Sequence, residues 1–281
     1  MDRFRRAPIV TLVLTLCAAA LASAGQGATV TSAQLTPSAI ETFLQQAEIV
    51  DIREAGDGVT GSQRATLTDG TLTHDVHIQS VDITKSIFQA RGYTELNFKD
   101  SYRFNIAGYR LARLLGINTV PVSVQRTVKG DDAAVTWWVD DVQMNERERL
   151  ERRTMGPHPI RTSNQIQLMR IWDELIQNRD RNQGNILWTN DWTLWLIDHT
   201  RAFRLEDELL KPADLMRIDR GLLDRLKGLT KDSVANAVAD SLTTSEQEAV
   251  LRRRDRIVKA FEKRAATVGR AAVYVDWGLG R

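Results

Sequence analysis

The chain reads as an α+β protein made of two unequal halves, and three observations say so. Short runs rich in β-branched and aromatic residues, broken by glycine-containing turns, crowd residues 48–142 around a single amphipathic helix. Beyond about Met144 the apolar residues recur at helical spacing instead, with one strand-like hairpin among them. No internal repeat or low-complexity tract interrupts either half, and the change of character falls near residues 143–160.

The first element is not part of the fold. MDRFRRAPIVTLVLTLCAAALASAG opens with Arg3, Arg5 and Arg6, continues as an apolar run from about Ile9 to Leu21, and ends in the small residues Ala22-Ser23-Ala24. That pattern predicts a secretory signal peptide, residues 1–24, rather than an uncleaved anchor. The apolar run is shorter than the roughly 20 residues a membrane-spanning helix needs, and no later segment approaches that length. Leu16 before Cys17 is too large for lipoprotein processing, so Cys17 reads as apolar filler. Export implies a periplasmic or extracellular protein with no membrane span after cleavage. The leader holds three of the 38 basic and one of the 36 acidic residues, so 35 of each remain. The mature charge is near zero, which removes the case for a nucleic-acid partner. The only cysteine leaves with the leader, so burial rather than disulfides must hold the fold.

In order, Thr36-Pro37 opens a short helix over SAIETFLQQA. The segments EIVDIRE, QRATLTDG and LTHDVHIQSVD read as strands in antiparallel hairpins. ITKSIFQARGYTELNFKD has no clear period. SYRFNIAGYRLARLLG places Phe104, Ala107, Leu111, Leu114 and Leu115 on one helical face, stopped by Gly116. VPVSVQRTV and AAVTWWVDDV are two further strands. NERERLERR is a solvated helical run, GPHPIRTS a loop, and NQIQLMRIWDELIQN an amphipathic helix. After the hairpin, MRIDRGLLDRLKGL, KDSVANAVADSL and SEQEAVLRRRDRIVKAFEKRAATVG favour helix, with Ser245 and Glu248 placed as a capping box.

The chemistry concentrates in NRDRNQGNILWTNDWTLWLIDHTRAF, Asn178 to Phe203. A loop over Asn190 to Thr193 would set Trp188 opposite Trp195, Ile186 opposite Ile197 and Asn185 opposite Asp198. Opposed residues have Cβ atoms about 4.5–5.5 Å apart. Such a pair can supply two of the oxygens that a magnesium ion takes at about 2.0–2.1 Å. Asp180, in the loop leaving the preceding helix, could reach a substrate hydroxyl beside that ion. Asp, Asn and Gly also populate turns for purely local reasons, and the Trp and Leu residues suit an ordinary core.

DRNQGN followed by IDHTRAF resembles the catalytic and metal-binding segments of the phosphoinositide-kinase-like superfamily, the atypical kinases that include HipA-like and secretory-pathway kinases. Their pattern is D-R-x-x-x-N, then an Ile-Asp motif in place of the Asp-Phe-Gly of ordinary protein kinases. AGYRLARLLGINTVPVSV is similar to that group's N-lobe helix and following strand, and the resemblance spans roughly residues 50–205. It implies a two-lobed protein-kinase-like fold, with an N-lobe over 25–143 and a C-lobe over 144–281. It further implies Asp180 as catalytic residue, Asn185 and Asp198 as metal ligands, and Mg²⁺ or Mn²⁺ with ATP or another nucleotide as cofactors. The acceptor would be a hydroxyl of a protein, sugar or lipid.

Two positions depart from that pattern. The resemblance sets the third-strand lysine position on Gln79 and its helix glutamate partner on Asn105, so a neutral amide pair stands where a charged pair is required. Lys85, Lys99 or Arg103 could restore the charge, though each suits a solvated surface. Gly58, in GDGVTGS, is placed to cover phosphate, and Trp138, in the segment that links the lobes, to meet a base. Both have plain turn or core readings as well. His74 and His77, three apart on a strand, point to opposite faces and cannot share a metal. His199 either orients Asp198 or makes a structural hydrogen bond. The reading is therefore an exported kinase-like phosphotransferase. The alternatives are a pseudokinase that binds a ligand or partner without catalysis, and a structural envelope protein.

Overall fold

The computed structural model describes residues 35–54, 62–90, 92–238 and 240–278. The leader 1–24 and Gly58 lie outside the described residues. Thr36 starts the first helix, α1 (Pro37–Gln46), by accepting the Ala39 N–H on its hydroxyl at 3.2 Å. Phe43 and Leu44 turn that helix's apolar side inward. Strands β1 (Glu48–Glu54), β2 (Gln63–Thr68) and β3 (Thr73–Gln79) follow as expected.

The segment without a clear period is a regular antiparallel hairpin, β4 (Asp82–Ala90) and β5 (Tyr93–Ser101), with Ile87 opposite Leu96. Most of its side chains are exposed on both faces, Ile87 and Leu96 included, so no face needs an apolar alternation. Helix α2 (Arg103–Leu114) and strands β6 (Ser123–Val128) and β7 (Asp131–Trp137) complete the N-terminal half. The main sheet is antiparallel with order β1-β2-β3-β7-β6. Along β3, Val76 and Ile78 face the core, so the pleat turns His77 and Gln79 to the other side. Helices α1 and α2 pack against β6 and β7.

Strand β8 (Val142–Asn145) straddles the expected join and leads into α3 (Glu146–Glu151) through an Asn145–Glu148 capping box. Helix α4 (Pro159–Ile176) begins inside the expected GPHPIRTS loop, because Pro159 suits a first helical turn. Strands β9 (Ile186–Thr189) and β10 (Leu194–Leu196) form with β8 a three-stranded sheet in the order β10-β9-β8. Then come β11 (Ile218–Asp219), α5 (Arg220–Gly228), α6 (Lys231–Val238), α7 (Thr244–Val268), α8 (Arg270–Val273) and β12 (Tyr274–Val275), with β11 and β12 parallel.

The capping box of α7 is Thr243 with Glu246, not Ser245 with Glu248. The helix begins one turn-edge earlier, and there Glu246 serves twice, bonding the Thr243 N–H and the Lys99 ammonium of β5 at 2.7 and 2.6 Å. A core containing Trp172, Trp188, Phe104 and Phe203, all buried, runs through both halves. Among the described residues no helix is long and apolar enough to cross a membrane.

Candidate active site

Helix α4 stops at Gln177, whose φ of 49° is left-handed, and the chain turns into the loop carrying Asp180. Asn178, buried, holds that loop by accepting the Asp180 N–H at 3.1 Å. Arg181 does more. Its guanidinium meets Asp173 of α4 at 3.0–3.2 Å and donates to the carbonyls of Ile197 and Asn185 at 2.5 and 3.3 Å. One cation therefore ties the helix, the loop and the far end of the hairpin together. The arginine of the D-R-x-x-x-N pattern was visible in the sequence. Its carboxylate partner on the preceding helix was not.

The hairpin register differs by one residue from the expected one. Trp188 faces Leu194, Trp195 faces Leu187, and Leu196 faces Ile186. The loop holds three residues, Asn190 to Trp192, closed by the Trp192 N–H on the Thr189 carbonyl at 2.8 Å, with Trp192 left-handed at φ 60°. The large indole in that conformation gave no turn signal. Trp188 and Trp192 are neighbours, with centroids 5.9 Å apart, so the expected Trp188–Trp195 pairing is replaced.

A one-residue slip should turn Asp198 away from Asn185. It does not, because Asp198 leaves the strand with φ 55°, a conformation Asp tolerates better than most residues. The carboxylate swings back, and Asn185 Nδ2 donates to Asp198 Oδ2 at 3.3 Å. With Nδ2 so engaged, Oδ1 is the oxygen that amide can offer a cation. Thr200 donates its N–H and its hydroxyl to Asp198 Oδ1 at 3.3 and 3.0 Å.

Asp180 lines an open cleft of about 470 Å³, walled by Thr94, Glu95 and Leu96 of β5 and by Arg179, Arg201 and Glu206. The residue reaches solvent at the cleft, yet its carboxyl is flanked closely by protein. Partial loss of water raises its pKa, Arg201 opposes that rise, and the negative charge of Asp198 adds to it. The sequence reading missed Glu95, which bonds Arg201 at 2.7 Å and also Arg204, and so fixes the β4–β5 hairpin over the loop after Asp198. It also missed Asp100, a buried carboxyl raised first by burial and then by the charges of Asp198 and Asp180.

Gln79 and Asn105 are both buried. Asn105 Oδ1 accepts the His199 N–H at 2.7 Å, and the Ser101 N–H reaches the Thr200 carbonyl at 2.9 Å, so the start of α2 grips the backbone just after Asp198. Gln79 Oε1 accepts the Val81 N–H at 3.2 Å. Lys99 pairs with Glu246, Lys85 lies 5.4 Å from the Phe88 ring, and Arg103 sits 3.5 Å from Asp82. Trp138 is half-buried with the Arg64 guanidinium 4.1 Å over its ring.

His74 stacks on Trp137 and pairs with Asp140, whereas His77 bonds the Ser62 hydroxyl and lies near enough to Asp198 to feel its charge. Burial nonetheless holds His77 below the usual imidazole range. His199 is buried and accepts the Trp172 indole N–H at 3.1 Å, which makes its role structural.

No family model and no curated protein matches the sequence. Solved structures do. Hydra Fam20 with sugar superposes with a TM-score of 0.65 at 14% identity, over 85% of this chain and 92% of that one. The Golgi casein kinase with Mn and ADP bound gives 0.65 at 12% identity, over 85% and 78%. Another structure of the Golgi casein kinase gives 0.62 at 14% identity, over 85% and 77%. The fold is kinase-like.

Within this kinase-like fold the hard oxygen donors of Asn185 and Asp198 suit Mg²⁺ or Mn²⁺ rather than a softer metal. Among the described residues no three His, Cys, Asp or Glu side chains converge on one point, so a cation there would draw on the Asn185 amide and on oxygens from outside the chain.

Proposed function

We propose that the protein is an exported kinase-like phosphotransferase, with the leader 1–24 removed and lobes over 25–143 and 144–281. It moves a phosphoryl group from ATP or another nucleotide to a hydroxyl acceptor of a protein, sugar or lipid. The observation that carries this reading is the Asn185–Asp198 contact, restored at 3.3 Å by a left-handed aspartate, beside a cleft with Asp180 in its wall. A non-glycine residue held at positive φ has a conformational cost, which fits a site that needs its carboxylate in one place.

When bound, Mg²⁺ or Mn²⁺ would neutralise phosphate charge between Asn185 and Asp198. Asp180, its carboxyl raised, accepts the proton of the acceptor hydroxyl. Arg181 holds the loop and hairpin in register, and Asn105 fixes the backbone next to Asp198. Arg179 and Arg201 border the acceptor side of the cleft. Neighbours of this fold were solved with Mn and ADP and with sugar, which supports the same ligand classes here.

The pseudokinase reading has one observation in its favour: Asn105 bonds the His199 backbone, where the kinase pattern places a glutamate that holds a lysine. Calorimetric titration of the mature protein with ATP and ADP, with and without Mg²⁺ or Mn²⁺, separates the two. Phosphotransfer requires metal-dependent nucleotide binding that Asp198→Ala abolishes, and label transfer that Asp180→Ala abolishes. Tight binding with no transfer to any offered acceptor selects the pseudokinase. Absence of binding in either metal rejects both.

A further inference from the structure

Several buried polar atoms around the site have no hydrogen-bond partner, among them Asn178 Nδ2, Arg201 Nε and Arg204 Nε, and one of them is a carboxylate oxygen. Asp100 is 7% exposed, and its Oδ1 has no hydrogen-bond partner. A buried carboxylate oxygen left unbonded is costly, and cores seldom keep one without a reason. The residue sits near the end of β5, three positions before α2, with its carboxyl beside Thr200. Thr200 is also the residue whose hydroxyl donates to Asp198 at 3.0 Å. A hydroxyl carries one proton, and that of Thr200 goes to Asp198, which leaves none for Asp100.

The nearest cation does not resolve the deficit. Arg201 lowers the Asp100 pKa, but its Nη2 is committed to Glu95 at 2.7 Å and its plane lies 4.3 Å from the Phe98 ring. Two carboxylates thus lie close enough for each to feel the other's charge, and the Asp100 oxygen stays unbonded although Arg201 Nε, also buried, has no partner either.

We propose that Asp100 is the third protein group of the cation site, accepting hydrogen bonds on its buried, unbonded oxygen from water carried by the divalent ion at Asn185 and Asp198. Mg²⁺ and Mn²⁺ keep several waters when bound by one or two carboxylates, and a carboxylate beyond the direct ligands orients them. The side chain acts as a positioning residue. It gives this chain an acidic group on the N-terminal side of the cleft, where the lysine of the kinase pattern is lost. The site should therefore take up a divalent ion without nucleotide. The inference rests on the Asn185–Asp198 cation site of the proposed function.

Its test is Mn²⁺ binding to the nucleotide-free mature protein, read by calorimetry and by the electron paramagnetic resonance signal of free Mn²⁺, with melting temperatures measured in metal-free buffer. Asp198→Ala should abolish binding. Asp100→Asn and Asp100→Ser should each weaken it about 10–100-fold, the range for residues that orient a metal's ligands. Without metal their melting temperatures should equal or exceed that of the wild type, since an unpaired buried charge has been removed. Wild-type affinity in both Asp100 variants, with Asp198→Ala dead, overturns the role of Asp100 alone. A fall in metal-free melting temperature, or failure to fold, shows Asp100 to be structural and overturns it too. Failure of the wild type to bind Mn²⁺ rejects the Asn185–Asp198 site itself, and this inference with it.

Discussion

The loop and hairpin from Asn178 to Phe203 and the β3–α2 region facing it are built on opposite plans. In the first, acidic and amide groups gather around one hairpin end, and buried ionic and backbone bonds hold them in place. Arg181 alone bridges α4, the catalytic loop and Ile197. In the second, Gln79 and Asn105, which the sequence resemblance sets at the lysine and glutamate positions, are neutral, and the amide of Asn105 is spent on anchoring the backbone after Asp198. The difference teaches that the phosphate-facing charge of this fold is separable from the scaffold. A helix α2 with a neutral amide at position 105 can still pin the Asp198 loop, because a backbone N–H needs only an acceptor.

The largest effect that tests this contrast lies at Arg181. Its side chain is 7% and that of Asp173 14% exposed. Arg181→Ala strands a buried carboxylate already raised by burial, so chemical denaturation should show a loss of about 3–5 kcal/mol. A loss below about 1 kcal/mol would mean the loop is held by something else.

Glu95→Gln comes next. Arg201 and Arg204 lose their shared carboxylate, and urea unfolding should fall by roughly 2–3 kcal/mol for a hydrogen-bonded, largely buried charge. An unchanged midpoint would show that the β4–β5 hairpin rides on the body without this tie.

The contrast can also be reversed. Asn105→Glu buries a new carboxylate and should destabilise by about 1–3 kcal/mol, and Gln79→Lys in the same chain should recover at least about 1 kcal/mol of it. Additive effects in that double-mutant cycle would place the two side chains too far apart to form a pair.

A pH profile gives a smaller effect with a definite sign. The Asp180 carboxyl is raised above its ordinary value, and in the proposed reaction its ionised form accepts the proton. Transfer should therefore be full above that raised value and fall as pH drops through it. The acid limb should shift to higher pH in Arg201→Gln, which removes the charge that opposes the rise. An acid limb at the ordinary carboxylate value would remove Asp180 from that role. Smallest is Thr243→Ala, which deletes the cap of α7 and should lower stability by about 1 kcal/mol in thermal unfolding.

Much of this molecule is legible from local pattern, and the failures are instructive. β1 and α1 coincide with the strand and helix read from EIVDIRE and from Thr36-Pro37, since apolar spacing and a capping threonine act over a few residues. The β4–β5 hairpin escaped because most of its side chains are exposed and only the end of β5, around Phe98 and Asp100, is buried, too short a stretch to write a period into the sequence. The hairpin register slipped by one because a tryptophan adopts the left-handed turn position usually taken by glycine or asparagine. The juxtaposition of Asn185 and Asp198 was anticipated through the wrong route: a cross-strand pairing was expected, and a backbone reversal at Asp198 supplies it.

By itself the sequence determined which groups could do chemistry: Asp180, Asn185 and Asp198 at their spacing, amides in place of the lysine–glutamate pair, and an α+β division with helices gathered toward the C-terminus. Those follow from residue type and from periods of two and 3.6, which are properties of the chain. Only the tertiary structure decided that Asp100, 98 residues before Asp198, lies near enough to feel its charge, that Glu95 clamps two arginines beyond it, and that Asn105 holds backbone rather than cation. Such meetings between distant segments depend on how helices and strands pack, and no local periodicity encodes which of many buried acids will be left without a partner.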